Sequence, residues 1–199
     1  MPSDIEIANR AITKVGGTRI TSFNDSSTEA RALSATYNMA RRALLRRAAW
    51  NFAVWRGTLP KLLTTPSWGF KFQYQLPADF IRLLQVNDYS VALGLSDGRQ
   101  YDDTPYAIEG GKLLTDYDAP LKVRMIVDVV DANLFDACFA EAFASQLAYE
   151  ICEQVTQSNS KKSALAQEVV MWINEAKRMD AVESPAEAIH DDSWVLAKY

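Results

Sequence analysis

The stretch FKFQYQLPADFIRLLQV, residues 70–86, decides how this chain has to be read. Phe70, Phe72, Tyr74 and Leu76 alternate with Lys71, Gln73 and Gln75, the period-two pattern of a half-buried strand. Pro77 ends that strand, and Ile81 to Tyr89 resumes extended structure. Before it lies AWNFAVWRGTLPKL (49–62), and after it YAIEGGKLLTDY (106–117), whose Gly110-Gly111 pair predicts a hairpin with a primed turn. Leu121, Val123, Met125, Val127 and Val129 then alternate with Lys122, Arg124, Ile126 and Asp128 in a final strand. The block from Trp50 to Asp131 therefore reads as about five short strands, a small antiparallel sheet or partial barrel.

Working outward, the pattern changes to helix on both sides. A first helix is expected over 3–15, with Ser3 and Glu6 at capping-box spacing and Gly16-Gly17 as its stop. A second is expected over 27–49, with Ser26 and Glu29 as its capping box and a stripe of Ala30, Leu33, Tyr37, Ala40, Leu44 and Ala48. Beyond the block, a third is expected over 132–157, capped by Asp131 and apolar at Phe135, Phe139, Phe143, Leu147 and Ile151. A fourth, over 160–182, carries Leu165, Val169, Trp172, Ala176 and Met179, and the short connection predicts an antiparallel helical hairpin. The fold class is thus α+β. Residues 1–50 and 131–184 form a four-helix body, 51–130 a β-rich insert, and 185–199 an extended C-terminal tail.

Composition limits the chemistry. At 199 residues, 48% of them apolar and 11% aromatic, the chain can bury one sizeable core with a smaller appended module. Its apolar runs are far too short for a membrane span, and MPSDIEIANR is acidic and helix-like, so a cytoplasmic site of synthesis is expected. Cys138 and Cys152 fall 14 positions apart on one predicted helix, roughly 21 Å along its axis. A disulfide needs Cα atoms within about 7 Å, so they read as small buried apolar residues. The single histidine, His190, lies in the polar tail, which argues against a His-rich zinc site or a Ser-His-Asp triad. A net charge of −4, from 21 basic and 25 acidic residues, lacks the basic excess of a nucleic-acid binder.

The order of elements and four short motifs resemble one family. Arg47-Ala48-Ala49-Trp50-Asn51-Phe52-Ala53 fits an R-x-x-W-x-F-A segment after a helix pair. Tyr74-Gln75-Leu76-Pro77-Ala78-Asp79-Phe80-Ile81-Arg82 fits Tyr-x-Leu-Pro-x-Asp-x-x-Arg. A hairpin at Glu109-Gly110 leading to Thr115-Asp116 follows, then Phe135 to Leu147-Ala148 in the closing helix. In these segments, over residues 3–184, the chain resembles the head-to-tail adaptors (connectors) of short-tailed bacteriophages, the tail tubular protein A family. The resemblance implies a structural virion protein, made in the host cytoplasm, with no catalytic role, cofactor or membrane. It implies a ring of about twelve copies under the portal protein, receiving the tail nozzle protein and continuing the channel for double-stranded DNA.

The residues suggest which surfaces would serve such a part. Arg41, Arg42, Arg46 and Arg47 spread over a wide arc of the second helix, so a solvated face or subunit-interface salt bridges outweigh contact with portal or DNA. Trp68, Phe70 and Phe72 could face the nozzle, since exposed aromatics mark interfaces. Trp50, Phe52 and Trp55 are expected to pack the joint between helix and sheet. Trp194, Val195, Leu196 and Tyr199 in a polar tail call for a docking partner, expected to be the portal, with the tail ordering on binding. A ring of about twelve such acidic chains would repel DNA, so passage without specific binding and an acidic or neutral channel are expected.

Two other functions compete. Asp116 and Asp118 flank Tyr117, and on a strand they would share a face about 6–7 Å apart. Carboxyl pairs near that spacing serve glycosidases, so a virion-associated glycan or peptidoglycan hydrolase is conceivable, with Glu109 as the raised-pKa partner. Asp-Tyr-Asp-Ala-Pro is equally ordinary turn composition. The third reading is a basic-helix DNA-binding module built on the arginines.

Overall fold

The computed structural model describes residues 2–87, 89–91 and 106–183. It is an α+β fold in which helices from both ends of the sequence pack together and the strands lie between them in sequence. Helix α1 spans Asp4–Val15; the Glu6 amide donates to Ser3 Oγ at 3.2 Å and the Ser3 amide donates to Glu6 Oε2 at 2.7 Å, completing the expected capping box. Gly16, at φ 79°, closes the helix in the left-handed region. Helix α2 spans Thr28–Arg46, and here the cap is Ser27 rather than Ser26. Starting one residue later moves Glu29 away from the cap backbone, and its carboxylate instead accepts from the Thr18 amide at 3.1 Å.

The third helix also starts later than its apolar pattern suggests. Asp131 caps only a 3-10 turn, Ala132–Leu134, and helix α3 runs Ala137–Thr156 from its own cap, Asp136. The Asp136 carboxylate takes the Cys138 and Phe139 amides at 2.8 and 3.2 Å, a local bond that competes with continuous helix. The break leaves Phe135 extended, with its ring 5.1 Å from Phe139 and 5.6 Å from Phe52. Gln157, left-handed at φ 50°, and Ser158 join α3 to α4 (Asn159–Glu183), forming the helical hairpin.

The strands make two antiparallel sheets among the described residues. Strands β1 (Val54–Leu59), β3 (Phe80–Val86), β4 (Tyr89–Ser90) and β7 (Leu121–Val127) form one, in the order β1-β7-β3-β4. Strands β2 (Phe72–Gln75), β5 (Tyr106–Glu109) and β6 (Lys112–Thr115) form the other, in the order β2-β6-β5. Gly110 and Gly111, at φ 54° and 74°, supply the two left-handed residues of the primed turn between β5 and β6. Gln73, in the polar phase of its strand, is nonetheless buried, because its amide donates to Thr64 O and Oγ1 at 2.8 and 2.6 Å.

Two apolar cores share the four-stranded sheet. Ile81, Leu84 and Ile126 join the helical core, built on Ile12, Leu33, Leu44, Trp50, Phe139 and Phe143. Leu83, Val86, Val123 and Met125 face the second core with Tyr74 and Leu113 of the smaller sheet. Neighbouring residues such as Met125 and Ile126 are both buried because successive strand side chains point to opposite faces and both faces are covered. The order is therefore helices, four-stranded sheet, three-stranded sheet. On the outer face of α4, Met179 is 46% exposed, whereas Leu165, Val169, Ile173 and Ala176 are buried.

Candidate functional site

The arginines of α2 mainly work inside the chain. Arg41 is buried; its Nε and Nη2 donate to Asp128 Oδ1 and Oδ2 at 3.0 and 3.2 Å, and its Nη1 donates to Asn38 Oδ1 at 2.8 Å. Arg42 adds a longer contact to Asp128 at 3.7 Å while its side chain remains half exposed. Arg46 is exposed, yet its Nη1 donates to Ile81 O at 2.6 Å, and Arg82 Nη1 donates back to Arg46 O at 3.2 Å. Arg47 is exposed at the end of the helix. Arg41 is thus withdrawn from solvent and paired within its own chain, which corrects the expectation for this one arginine of a solvated position or a subunit-interface salt bridge. A guanidinium fork matched to a carboxylate fixes both distance and orientation, so these bonds lock α2 onto the sheet.

The same joint is filled by rings. Trp50 is 1% exposed, donates from Nε1 to Leu44 O at 3.0 Å and packs edge-on against Phe139 at 5.0 Å. Phe52 meets Phe139 at 4.8 Å. Trp55 does not join them: it is 38% exposed, and its indole lies over Gly57, two residues along the same face of β1.

Among the described residues, two of the most exposed large apolar side chains lie in one segment of the β region. Trp68 is 86% exposed and Leu63 fully so, both in the irregular segment between β1 and β2. This segment and the β5–β6 hairpin enclose an open groove of about 630 Å³, lined by Trp68, Phe70, Gln73, Glu109 and Lys112 among others. Of the three aromatics expected to face a partner, Trp68 is free to do so and Phe70 is half-buried at the groove wall. Phe72 is half-buried against the second core, with the Lys61 ammonium 3.6 Å from its ring centroid. Leu63 escaped the sequence reading; the Leu-Leu-Thr-Thr-Pro stretch carries no periodic signal.

The three carboxylates do not converge. Thr115 ends β6, so Asp116 and Asp118 sit in the following turn and not on a shared strand face. Asp116 accepts from the Lys71 amide at 2.9 Å, and Asp118 pairs with Lys61 at 2.9 Å. Hydrogen bonds from Lys61 and the Ala119 amide, with the Lys61 charge, hold Asp118 below the usual carboxylate range. Glu109 lies beside Lys112 at the turn, whereas Asp116 follows the opposite end of the hairpin, roughly 13 Å away along the strand.

Trp194, Val195, Leu196 and Tyr199 lie outside the described residues, as does His190. Cys138 is half-buried and Cys152 buried on α3, both as free thiols. Among the described residues no cluster of three metal-capable side chains occurs, and no helix is long and apolar enough to cross a membrane. The chain matches no protein-family model, and no curated protein sequence is similar to it.

Proposed function

We propose that this protein is a structural adaptor of a short-tailed bacteriophage virion. It would form a ring of about twelve copies between the portal protein and the tail nozzle protein and continue the DNA channel. One observation carries the reading: the motif residues of the resemblance occupy the joints of the layered fold. Trp50, Phe52 and Ala53 make the turn from α2 into β1. In the Tyr-x-Leu-Pro-x-Asp-x-x-Arg segment, Tyr74 Oη donates to Tyr117 O at 2.9 Å, and the Asp79 carbonyl accepts from the Asp128 amide at 2.7 Å. Arg82 reaches back to the end of α2. The resemblance therefore falls on positions that set the relative placement of helices and sheets, which a ring subunit must hold constant.

In this reading Trp68, with Leu63 of the same segment, engages the nozzle, and the C-terminal segment carrying Trp194, Val195, Leu196 and Tyr199 engages the portal. Arg42 and Arg47 remain for contacts between copies. Double-stranded DNA passes without specific binding. The deciding experiment is sedimentation of the protein with and without the portal protein encoded beside it. Co-sedimentation at a fixed subunit ratio supports the adaptor; free sedimentation beside a well-assembled portal ring rejects it.

A further inference from the structure

Ile126 of β7 faces the helical core, and the same strand phase continues into Arg124 and Lys122. On β1 that phase holds Arg56 and Thr58, since Val54 pairs with Ile126. The register sets these side chains in two rows. Arg56, Arg124 and Gln85 lie opposite one another across β1, β7 and β3. Thr58 and Lys122 begin the next row, and Asn87 completes it: its amide donates to Lys122 O at 2.8 Å, and its Oδ1 accepts from the Lys122 amide at 3.0 Å. The rows line an open groove of about 480 Å³, with Gly57 and Val123 as the remaining lining. Three of these eight residues are cations and none is a carboxylate.

Arg56 and Arg124 are directly opposed, a placement that destabilises a strand pair, and Lys122 is the diagonal neighbour of Arg56, roughly 7–8 Å away. Arg124 is half-buried and engaged within the chain. Arg56 and Lys122 are exposed, and among the described residues neither side chain has an ion pair or a hydrogen bond. Asn87, left-handed at φ 46°, is fixed by its two bonds to Lys122 and by Gln85 Nε2, which donates to its carbonyl at 2.8 Å. Its Oδ1 is thereby occupied, and its Nδ2 is left as a neutral donor in the groove. Two cations and one amide donor therefore face the same space with no anion from the lining to answer them.

We propose that this groove binds a compact phosphate-type oxyanion, free or as a phosphate monoester, held by Arg56 and Lys122. A guanidinium fork takes two oxygens of a tetrahedral phosphate and leaves others for the ammonium and for Asn87 Nδ2. A carboxylate offers two oxygens in one plane, so the fork alone covers both. Duplex DNA fits less well, because a chain of net charge −4 repels a long polyanion while a small ion meets the local field. The bound charge offsets the opposition of Arg56 and Arg124 and so strengthens the pairing of β1 with β7. The site is independent of the adaptor reading, since none of its residues is assigned to portal, nozzle or contacts between copies.

The test is titration of the full chain with sodium phosphate at constant ionic strength, followed by calorimetry and by backbone amide shifts. Saturable binding of one phosphate per chain is expected, with the largest shifts at Arg56, Lys122 and Asn87. Arg56→Gln and Lys122→Gln should each weaken it about tenfold or more, and both should fold, since neither side chain bonds within the described chain. Phenyl phosphate bound more tightly than inorganic phosphate identifies a monoester as the ligand; inorganic phosphate bound at least as tightly identifies the free ion. Either supports the site. No saturable binding, shifts elsewhere, or unchanged affinity in both variants overturns it. So does acetate bound as tightly as phosphate, or a short DNA duplex that shifts these amides where phosphate does not. Thermal melting gives the second measurement: phosphate should raise the melting temperature of the wild type and not of Arg56→Gln. An equal rise in both would also overturn the site.

Discussion

Arg41 of α2 and Asp128, the residue that follows β7, form a two-point ion pair with bonds of 3.0 and 3.2 Å, and both side chains are largely withdrawn from water. They are 87 positions apart in the sequence, so the pair closes a long loop and ties the helical layer to the central strand of the sheet. Truncating one member leaves the other charge buried without its partner, which costs far more than the net value of the pair. Arg41→Ala is expected to lose about 3–5 kcal/mol in urea denaturation, and Arg41→Lys to recover only part of it, because an ammonium cannot make both bonds. Wild-type stability in Arg41→Ala would remove this joint from the account.

Trp50 anchors the turn out of α2 by volume and by one hydrogen bond. Trp50→Ala should cost about 3–5 kcal/mol, the range for a large ring removed from a packed core. Trp50→Phe should cost less, since it keeps part of the ring contact with Phe139 and loses the bond to Leu44 O. Chemical denaturation of the three proteins, with unchanged m values, checks the order.

Gly57 is required by its neighbour. A Cβ there would lie 2.2 Å from Trp55 Cη2, so the indole has to move in Gly57→Ala. Because Trp55 is already partly exposed, it can swing toward solvent, and a loss of about 1–3 kcal/mol is expected. The substitution should alter the fluorescence of Trp55, read as the difference from a Trp55→Phe background. An unchanged Trp55 signal would contradict the contact.

Two carboxylates on α4 should give opposite pH dependences. Burial pushes Glu168 upward, but hydrogen bonding and charge from Lys14, with bonds from Trp172 and Ser145, outweigh it and hold the group below its ordinary 4.5. Its contribution is present above that value and is lost as pH falls through the lower folded pKa. Glu168→Gln should therefore flatten the acid limb of a melting-temperature profile and cost about 1 kcal/mol at neutral pH after solvent screening. At Asp180, burial raises the pKa above its ordinary 3.8 despite the Asn51 amide bond, with the Glu183 and Asp136 charges adding to the rise. Its contribution is present below 3.8 and is lost as pH rises through the raised folded value. Asp180→Asn keeps a carbonyl acceptor for the Asn51 amide and should remove that falling limb.

Trp68 has little to lose in the folded chain. Trp68→Ala should change unfolding free energy by no more than about 0.5 kcal/mol, as for exposed positions generally. Under the adaptor reading it should weaken capture of the nozzle protein at least about tenfold, a loss of roughly 1.4 kcal/mol in binding. Intact capture with intact folding would assign the nozzle contact elsewhere.

The residues themselves determined the elements whose signals are local. The Ser3–Glu6 box and Gly16 set the ends of α1, and Gly110-Gly111 set the β5–β6 turn, because caps and turns depend on a few adjacent dihedrals and hydrogen bonds. Apolar periodicity likewise marked the helices and most strands. It failed at Asp136, where a side chain competing for two amides overrode an otherwise continuous helical pattern. Periodicity also carried one signal that went unread: Asp128 shares the strand phase of Ile126, which faces the helices, and an acid in that phase calls for a buried basic partner.

Only the tertiary structure decided that β7 lies between β1 and β3, that Arg41 is the partner of Asp128, and that Asp116 and Asp118 are turn residues. It alone brought Asp180 of α4 to Asn51, just ahead of β1. These relationships join residues tens of positions apart. No local pattern specifies them, because they arise when whole apolar faces are matched and the buried charges must find partners across the resulting layers.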